Sequence, residues 1–346
     1  MKTPHFFEIG WNIIKDTPQF LNLHNLMFKN VLILGDTKTF KIGGNKIATL
    51  LRKSGAGVVK KYIVRSDDST VSEVKKTIQQ KNPDLVIGFG GGKVLDVAKL
   101  AAGETGIKFI SIPTILSNDG IASPISVITN GKGIPVSHRT CPPYGIIVDL
   151  EIIKKAPIRH LKAGVGDLIS NLSSVFDCRL AQKRNKEKID PGILNLAEVG
   201  AKRILNCPTK NIKSKIFLTE LIDGLIKSGL AMCLAGSSRP ASGSEHKLSH
   251  SFDYLFPERK SLHGEQVGIF SLFTMALQKN SYLKKVERLY QKIRFPQKLS
   301  YLGICLKDFV RILKKTRKFR PRRYTILDER NLSERTIKSI VRKVKI

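Results

Sequence analysis

The sequence predicts an α/β protein: a mostly parallel sheet with helices on both faces over residues 1–157, followed by an all-helical segment over 158–346. Two observations predict it. In the first part, short β-branched runs alternate with helical stretches, a β-α-β-α rhythm that yields parallel strands. After about residue 157, long segments carry apolar residues at the helical period.

Val31-Leu-Ile-Leu-Gly35 reads as a buried strand ending at a glycine turn, and residues 39–54 as the helix that follows. Residues 58–64 read as a second strand and 71–80 as a second helix. Residues 84–89 form a third strand, which Gly90-Gly-Gly-Lys93 breaks before an amphipathic helix over 94–102. Residues 109–113 read as the fourth strand and 145–149 as a closing one. The helical part reads as five long segments: 166–183, 194–205, 215–234, 244–254 and 263–279. No internal repeat or low-complexity linker interrupts it. A cleft between an α/β domain and a helical domain is a usual place for a ligand, so the active site is expected there.

Composition narrows the class. At 346 residues the chain can build two cores, and 41% apolar content is ordinary for a globular protein. No run approaches the roughly 20 apolar residues that span a bilayer, and MKTPHFFEIG lacks the apolar centre of a secretory signal. Five cysteines are scattered without a Cys-x-x-Cys pair, which points to reduced thiols and a cytoplasmic location. The net charge of +32 suggests attraction to anions. Residues 283–346 hold 21 Lys and Arg against 5 Asp and Glu, which is half of the total excess. No zinc knuckle, aromatic RNA-binding signature or recognition-helix pattern accompanies it, so nucleic acid is not an expected partner.

Four stretches carry chemistry. Gly88-Phe-Gly-Gly-Gly-Lys93-Val-Leu-Asp96 ends a strand and opens a helix. Its glycines let the backbone approach a pyrophosphate, and the helix N-terminus favours negative charge. The spacing fits neither the usual dinucleotide fingerprint nor a Walker A loop, and a glycine cluster also makes a plain tight turn. Pro113-Thr-Ile-Leu-Ser-Asn-Asp-Gly-Ile-Ala-Ser-Pro124 follows the fourth strand at its carboxyl end, where open α/β sheets bind ligands. Its Thr114, Ser117 and Ser123 hydroxyls suit phosphate or carboxamide groups, Asp119 suits a substrate hydroxyl, and the same residue types also favour turns.

Asp167, in Lys162-Ala-Gly-Val-Gly-Asp167, reads as the start of a helix, where an acidic residue is usually a cap. It is also the carboxylate that two imidazoles need for a three-ligand catalytic zinc. Those imidazoles are at hand. His246 and His250, four residues apart, project from one helical face, and His263 opens a second helix.

Together Gly90-Gly-Gly-Lys-Val-Leu-Asp96, the 113–124 stretch, Gly164-Val-Gly-Asp167, Ser242-Gly-Ser-Glu-His-Lys-Leu-Ser-His250, His263-Gly-Glu-Gln-Val-Gly268 and Arg320-Pro-Arg-Arg-Tyr-Thr-Ile-Leu327 resemble the sn-glycerol-1-phosphate dehydrogenases. These belong to the superfamily of iron-containing alcohol dehydrogenases, glycerol dehydrogenases and dehydroquinate synthases. The resemblance runs from about Ile9 to Leu327.

It implies a Rossmann-like dinucleotide-binding domain over 1–157 and a helical metal- and substrate-binding domain over 158–346. It also implies reduction of dihydroxyacetone phosphate by NADH or NADPH to sn-glycerol 1-phosphate, the backbone of archaeal ether lipids. By the same resemblance Asp167, His246 and His263 are the ligands of Zn2+, and Asp119, Asp167 and His250 contact the substrate. Gly90, Gly91, Gly92, Lys93, Val94, Thr114, Ile115, Leu116, Ser117 and Ser123 hold the NAD(H) or NADP(H). Asp119 and His250 form the catalytic pair. His250 serves either as proton donor or relay or as a plain hydrogen bond to the substrate.

Asp36 after the first strand favours NAD, while Arg65 after the second argues for NADP. A homo-oligomer is expected, with a weak anionic membrane contact through the basic C-terminal region, at the run 314–318. Two readings compete: a glycerol dehydrogenase acting on an unphosphorylated polyol, and a basic nucleic-acid or membrane-surface binder on the same fold.

Overall fold

A computed structural model describes residues 2–330 and 332–346. Met1 and Asn331, which the expected segments 1–157 and 158–346 include, lie outside the described residues. The chain divides into two compact units. The first comprises Met1–Leu116 and Gly120–Pro157, the second Ser117–Asp119 and Ile158–Ile346.

The first unit runs β1 (Phe6–Gly10), α1 (Thr17–Leu23), β2 (Asn30–Gly35), α2 (Thr37–Thr39), a π-helical turn at Phe40–Gly44, α3 (Asn45–Lys53), β3 (Gly57–Tyr62), α4 (Asp68–Lys81), β4 (Leu85–Gly90), α5 (Gly92–Thr105) and β5 (Lys108–Pro113). The hairpin β6 (Ile125–Thr129) and β7 (Pro135–Arg139) follows, then β8 (Gly145–Asp149) and α6 (Leu150–Lys155). Six strands form one sheet in the order β1-β8-β5-β4-β2-β3, with every neighbour pair parallel.

The central strands read as continuous apolar runs because both of their faces are buried. Val31, Ile33, Leu85, Ile87, Ile110 and Ile112 share one cluster with Ile47 and Leu51 of α3. On the opposite face a Cβ added to Gly88 would touch Leu95 and Ala98 of α5.

Two features differ from the sequence reading. The 145–149 strand does not close the sheet; it lies between β5 and an unforeseen β1. The Phe6 ring fills the space above Gly145, where a Cβ would come within 2.1 Å of it. The β6–β7 hairpin was also unread, since its strands have only five positions each and β7 buries none of them.

The second unit is helical: α7 (Ile158–Lys183), α8 (Pro191–Leu205), α9 (Lys215–Ala235), α10 (Ser244–Leu255), α11 (His263–Leu277), α12 (Leu283–Ile293), α13 (Leu306–Thr316), α14 (Ile326–Glu329) and α15 (Glu334–Val344). α7 begins at Ile158, so Asp167 lies inside a helix and does not cap one. Gly164 and Gly166 imitate a break in the pattern, but the helix runs through both, and Gly166 serves helix contact. A Cβ on Gly166 would stand 2.1 Å from the Gly264 carbonyl oxygen, and one on Gly264 would stand 1.9 Å from that of Ala163. Glycine at both positions lets α7 and α11 approach backbone to backbone.

Candidate metal and substrate site

Close approach of α7 and α11 brings Asp167 to His263, and α10 adds His246. Ligand atoms of these three residues all lie within 4.8 Å of one another. The His246 and His263 ring centroids are 4.9 Å apart. The start of α11 is held firmly: Glu265 accepts two hydrogen bonds from Arg159, at 2.7 and 2.8 Å, one from the Tyr301 hydroxyl and one from the Leu262 N–H.

Asp167 is buried. Its Oδ2 accepts the Asp119 backbone N–H at 2.9 Å, and its Oδ1 lies 3.7 Å from His263 Nε2. Burial, and after it the Asp119 charge, pushes the Asp167 carboxyl well above the usual carboxylate range. The imidazoles move the other way. Burial, then the charges of Arg320 and Arg323, pushes His246 well below its ordinary value. Burial, then His246 and Arg320, brings His263 down to about 3. Neutral imidazoles keep the lone pairs that a metal needs, and a cation beside a buried carboxylate stabilises its charged form. The donor set fits a divalent ion such as zinc.

Each imidazole is oriented from behind. Glu245, fully buried, places Oε1 2.9 Å from His246 Nδ1. Ser249 Oγ lies 3.4 Å from His263 Nδ1. Such partners fix the ring and leave its other nitrogen for the ion. His250 follows one turn after His246 on α10, and its Nε2 is buried without a hydrogen-bond partner among the described residues. Burial, with Arg320 and the two neighbouring imidazoles, pushes His250 well below its ordinary value as well. Its neutral form therefore dominates near pH 7, unlike the near-neutral titration expected of an isolated imidazole. Asp119 Oδ2 accepts the Ser228 hydroxyl at 2.7 Å, and Asn171 Nδ2 donates to that hydroxyl at 3.0 Å.

The glycine loop belongs to the first unit. α5 starts behind Gly91 without a side-chain cap, the kind of helix start that suits an anion. Thr114 N–H donates to the Gly90 carbonyl at 3.0 Å, tying this loop to the one after β5. A Cβ on Gly91 would stand 2.7 Å from Ile115 Cδ1. Val94 and Leu116 are buried, Gly92 is half-buried and Lys93 is exposed. Ser123 is buried, with Oγ 3.4 Å from the Ile125 carbonyl. Ser117 groups with Asp119 in the helical unit, apart from Thr114, Ile115 and Leu116. Asp36 caps α2 by accepting the Thr39 N–H at 2.7 Å, and Arg65 pairs with Asp67 at 2.7 Å.

Sequence reasoning missed Glu245, Ser228, Arg320 and Arg323. Glu245 and both arginines sit inside motifs already singled out; Ser228 has no local signal at all. The basic run is partly committed internally: Lys314 pairs with Glu334 at 3.0 Å, and Lys315 lies over the Tyr254 ring. Among the described residues no helix is long and apolar enough to cross a membrane.

Residues 8–157 match the family model described as iron-containing alcohol dehydrogenase. The fold is also that of a glycerol dehydrogenase from Schizosaccharomyces pombe, with a TM-score of 0.81 at 19% identity, covering 99% of this chain and 89% of that one. The chain thus carries the fold shared with that glycerol dehydrogenase, and its first unit the match to the iron-containing alcohol dehydrogenase model.

The sequence is 37% identical to the glycerol-1-phosphate dehydrogenase [NAD(P)+] of Thermofilum pendens over 90% of this chain and 89% of that protein. It is also 37% identical to the Saccharolobus islandicus enzyme of the same name over 99% of this chain and 97% of that one. The chain belongs to the glycerol-1-phosphate dehydrogenase family. Similarity to glycerol dehydrogenase extends to the fold alone.

Proposed function

We propose that this chain reduces dihydroxyacetone phosphate to sn-glycerol 1-phosphate with NADH or NADPH, using zinc held by Asp167, His246 and His263. The observation that carries the reading is the meeting of those three ligands, within 4.8 Å, in a chain of this family. When bound, the metal polarises the C2 carbonyl as a Lewis acid and the dihydronicotinamide supplies the hydride to that carbon.

The remaining work belongs to the chain. Asp167 gives one oxygen to the ion while its other oxygen stays on the Asp119 amide. His250 offers a buried, unpartnered Nε2 to the substrate; in its neutral Nε2–H tautomer it donates to the C2 oxygen, and it relays that proton to the forming alcohol as its Nδ1 takes one up from solvent. Asp119, steadied by Ser228, accepts the substrate's free hydroxyl. Gly90, Gly91 and Gly92, with the uncapped start of α5, receive the cofactor's pyrophosphate. Lys93, Val94, Thr114, Ile115, Leu116, Ser117 and Ser123 shape the rest of that site. A cytoplasmic homo-oligomer belongs to the same reading.

The test is oxidation of NADH and NADPH with dihydroxyacetone phosphate, before and after zinc is stripped and restored. Product chirality is read with an enzyme specific for sn-glycerol 3-phosphate. Metal-dependent turnover to a product that this enzyme refuses supports the reading. Turnover of dihydroxyacetone or glycerol alone would replace it with a polyol dehydrogenase.

A further inference from the structure

Resting on the reading above, in which Asp119 accepts a substrate hydroxyl, we propose that Lys99 is a positioning residue for Asp119. Lys99 lies in the middle of α5, two turns beyond the start of that helix. Its side chain is buried, although most lysines of this chain meet solvent. A lysine is almost never fully buried unless its head is paired. Its partners therefore show what its burial serves.

Lys99 Nζ donates to two backbone carbonyls, those of Gly120 and Ile125, each at 2.7 Å. Asp96, one turn earlier on α5, places Oδ1 3.9 Å from the same nitrogen. An ammonium head carries three donors, so one side chain can grip both carbonyls at once. The two carbonyls bracket residues 120–125, a stretch that opens with a 3-10 turn at Asp119–Ile121 and holds Ser123. Thr140 steadies the same stretch through its N–H, which donates to the Pro124 carbonyl at 2.8 Å. The Thr140 hydroxyl in turn donates to the Lys99 carbonyl at 3.3 Å.

Asp119 itself is held at its N–H, which donates to Asp167 Oδ2 at 2.9 Å, and at its Oδ2, which accepts the Ser228 hydroxyl at 2.7 Å. Lys99 holds the chain one residue further on. That residue is Gly120, and glycine leaves the backbone its widest choice of dihedral angles. Next to a carboxylate that must meet a substrate hydroxyl, such a residue is a point about which the chain can swing. The bond from Lys99 to the Gly120 carbonyl removes that freedom, and the bond to Ile125 fixes the far end of the stretch.

The test is a double-mutant cycle in steady-state turnover of zinc-loaded protein, with Lys99→Met and Asp119→Asn alone and together. Lys99→Met keeps the apolar stem and loses the donors. It should lower kcat/KM for dihydroxyacetone phosphate by up to about 100-fold, the cost of a group displaced by about 1 Å, with the loss carried by KM. A merely loosened fold would instead reduce the active fraction, and with it kcat, at constant KM. In the Asp119→Asn background Lys99→Met should cost little more, because the group that it displaces is already disabled. Lys99→Gln, which keeps N–H donors on a shorter stem, should lie between, and it replaces the Met variant in the cycle if that one does not fold. Full additivity with Asp119→Asn, or an unchanged KM in the folded Lys99 variant, overturns the proposal. So does an equal rise in KM from Thr140→Val, which releases the Lys99 carbonyl and leaves its Nζ in place. Wild-type protein that reduces dihydroxyacetone but not its phosphate defeats the functional reading alone; the cycle is then read with dihydroxyacetone, and the same outcomes decide the role of Lys99.

Discussion

Glu245 Oε1 lies 2.9 Å from His246 Nδ1, and the same oxygen accepts the Gly243 N–H at 2.6 Å. One buried carboxylate thus ties the start of α10 to the ring of a candidate ligand. Glu245→Gln keeps the shape and removes the charge behind the imidazole. Zinc affinity, measured by chelator competition, is expected to fall about 10- to 100-fold, as for other partners behind a ligating histidine. Unchanged affinity would mean that Glu245 serves α10 alone.

Gly264→Ala tests the crossing of α7 and α11. The new methyl would meet the Ala163 carbonyl oxygen at 1.9 Å, and backbone on a packed helix cannot yield as a side chain can. Denaturant unfolding should show a loss of about 1–3 kcal/mol from overpacking. Zinc should bind more weakly too, because His263 is displaced from Asp167. Ala at the exposed Gly131, where a Cβ meets nothing within 4 Å, is the comparison.

Ser228→Ala removes the hydroxyl that Asp119 accepts at 2.7 Å and that Asn171 donates to. The buried Asn171 and the half-buried Asp119 each lose a bond, costing about 1–3 kcal/mol of stability. For catalysis the expected signature is a raised KM for the phosphorylated ketone with zinc content unchanged, since Ser228 touches Asp119 and no candidate ligand. A loss of bound zinc in the folded variant would contradict that assignment.

Asp253 gives a pH prediction. Burial raises its carboxyl to about 6, against the Gln266 amide that pulls it down. The folded state therefore holds this proton more tightly than the unfolded chain, whose value is 3.8. The charged form costs stability in full above about pH 6, and the cost vanishes below the unfolded value. Asp253→Asn keeps an oxygen for Gln266 Nε2, which donates to Asp253 Oδ1 at 2.9 Å. It should stabilise the protein at pH 8 by about 1–2 kcal/mol after allowance for screening, and by nearly nothing at pH 4. Equal melting shifts at both pH values would show that the gain is not electrostatic.

Much of the scaffold was legible because its signals are local. Val31-Leu-Ile-Leu-Gly35 announces a strand buried on both faces, and Gly90-Gly-Gly-Lys93 announces the turn into α5. The spacing of His246 and His250 puts both on one helical face, whatever surrounds them. Residue chemistry and short-range periodicity are properties of a few neighbours in the chain.

Tertiary structure alone decided the rest. β1 joins the sheet beside β8, across more than a hundred residues, because Phe6 fills the space above Gly145. Asp167 became an interior helix residue because the helix runs on through Gly164 and Gly166, and Gly166, which looks like part of a break, serves contact with α11. Glu245 lies beside His246 in sequence, yet nothing local shows its carboxylate turned back to that ring. Ser228 reaches Asp119, and Arg320 and Arg323 reach Ser238 and Ser242, over separations that no periodicity encodes. Ligand identity is written in side-chain chemistry. Ligand convergence, and the charges that keep imidazoles neutral, depend on long-range packing, which exists only once the chain has folded.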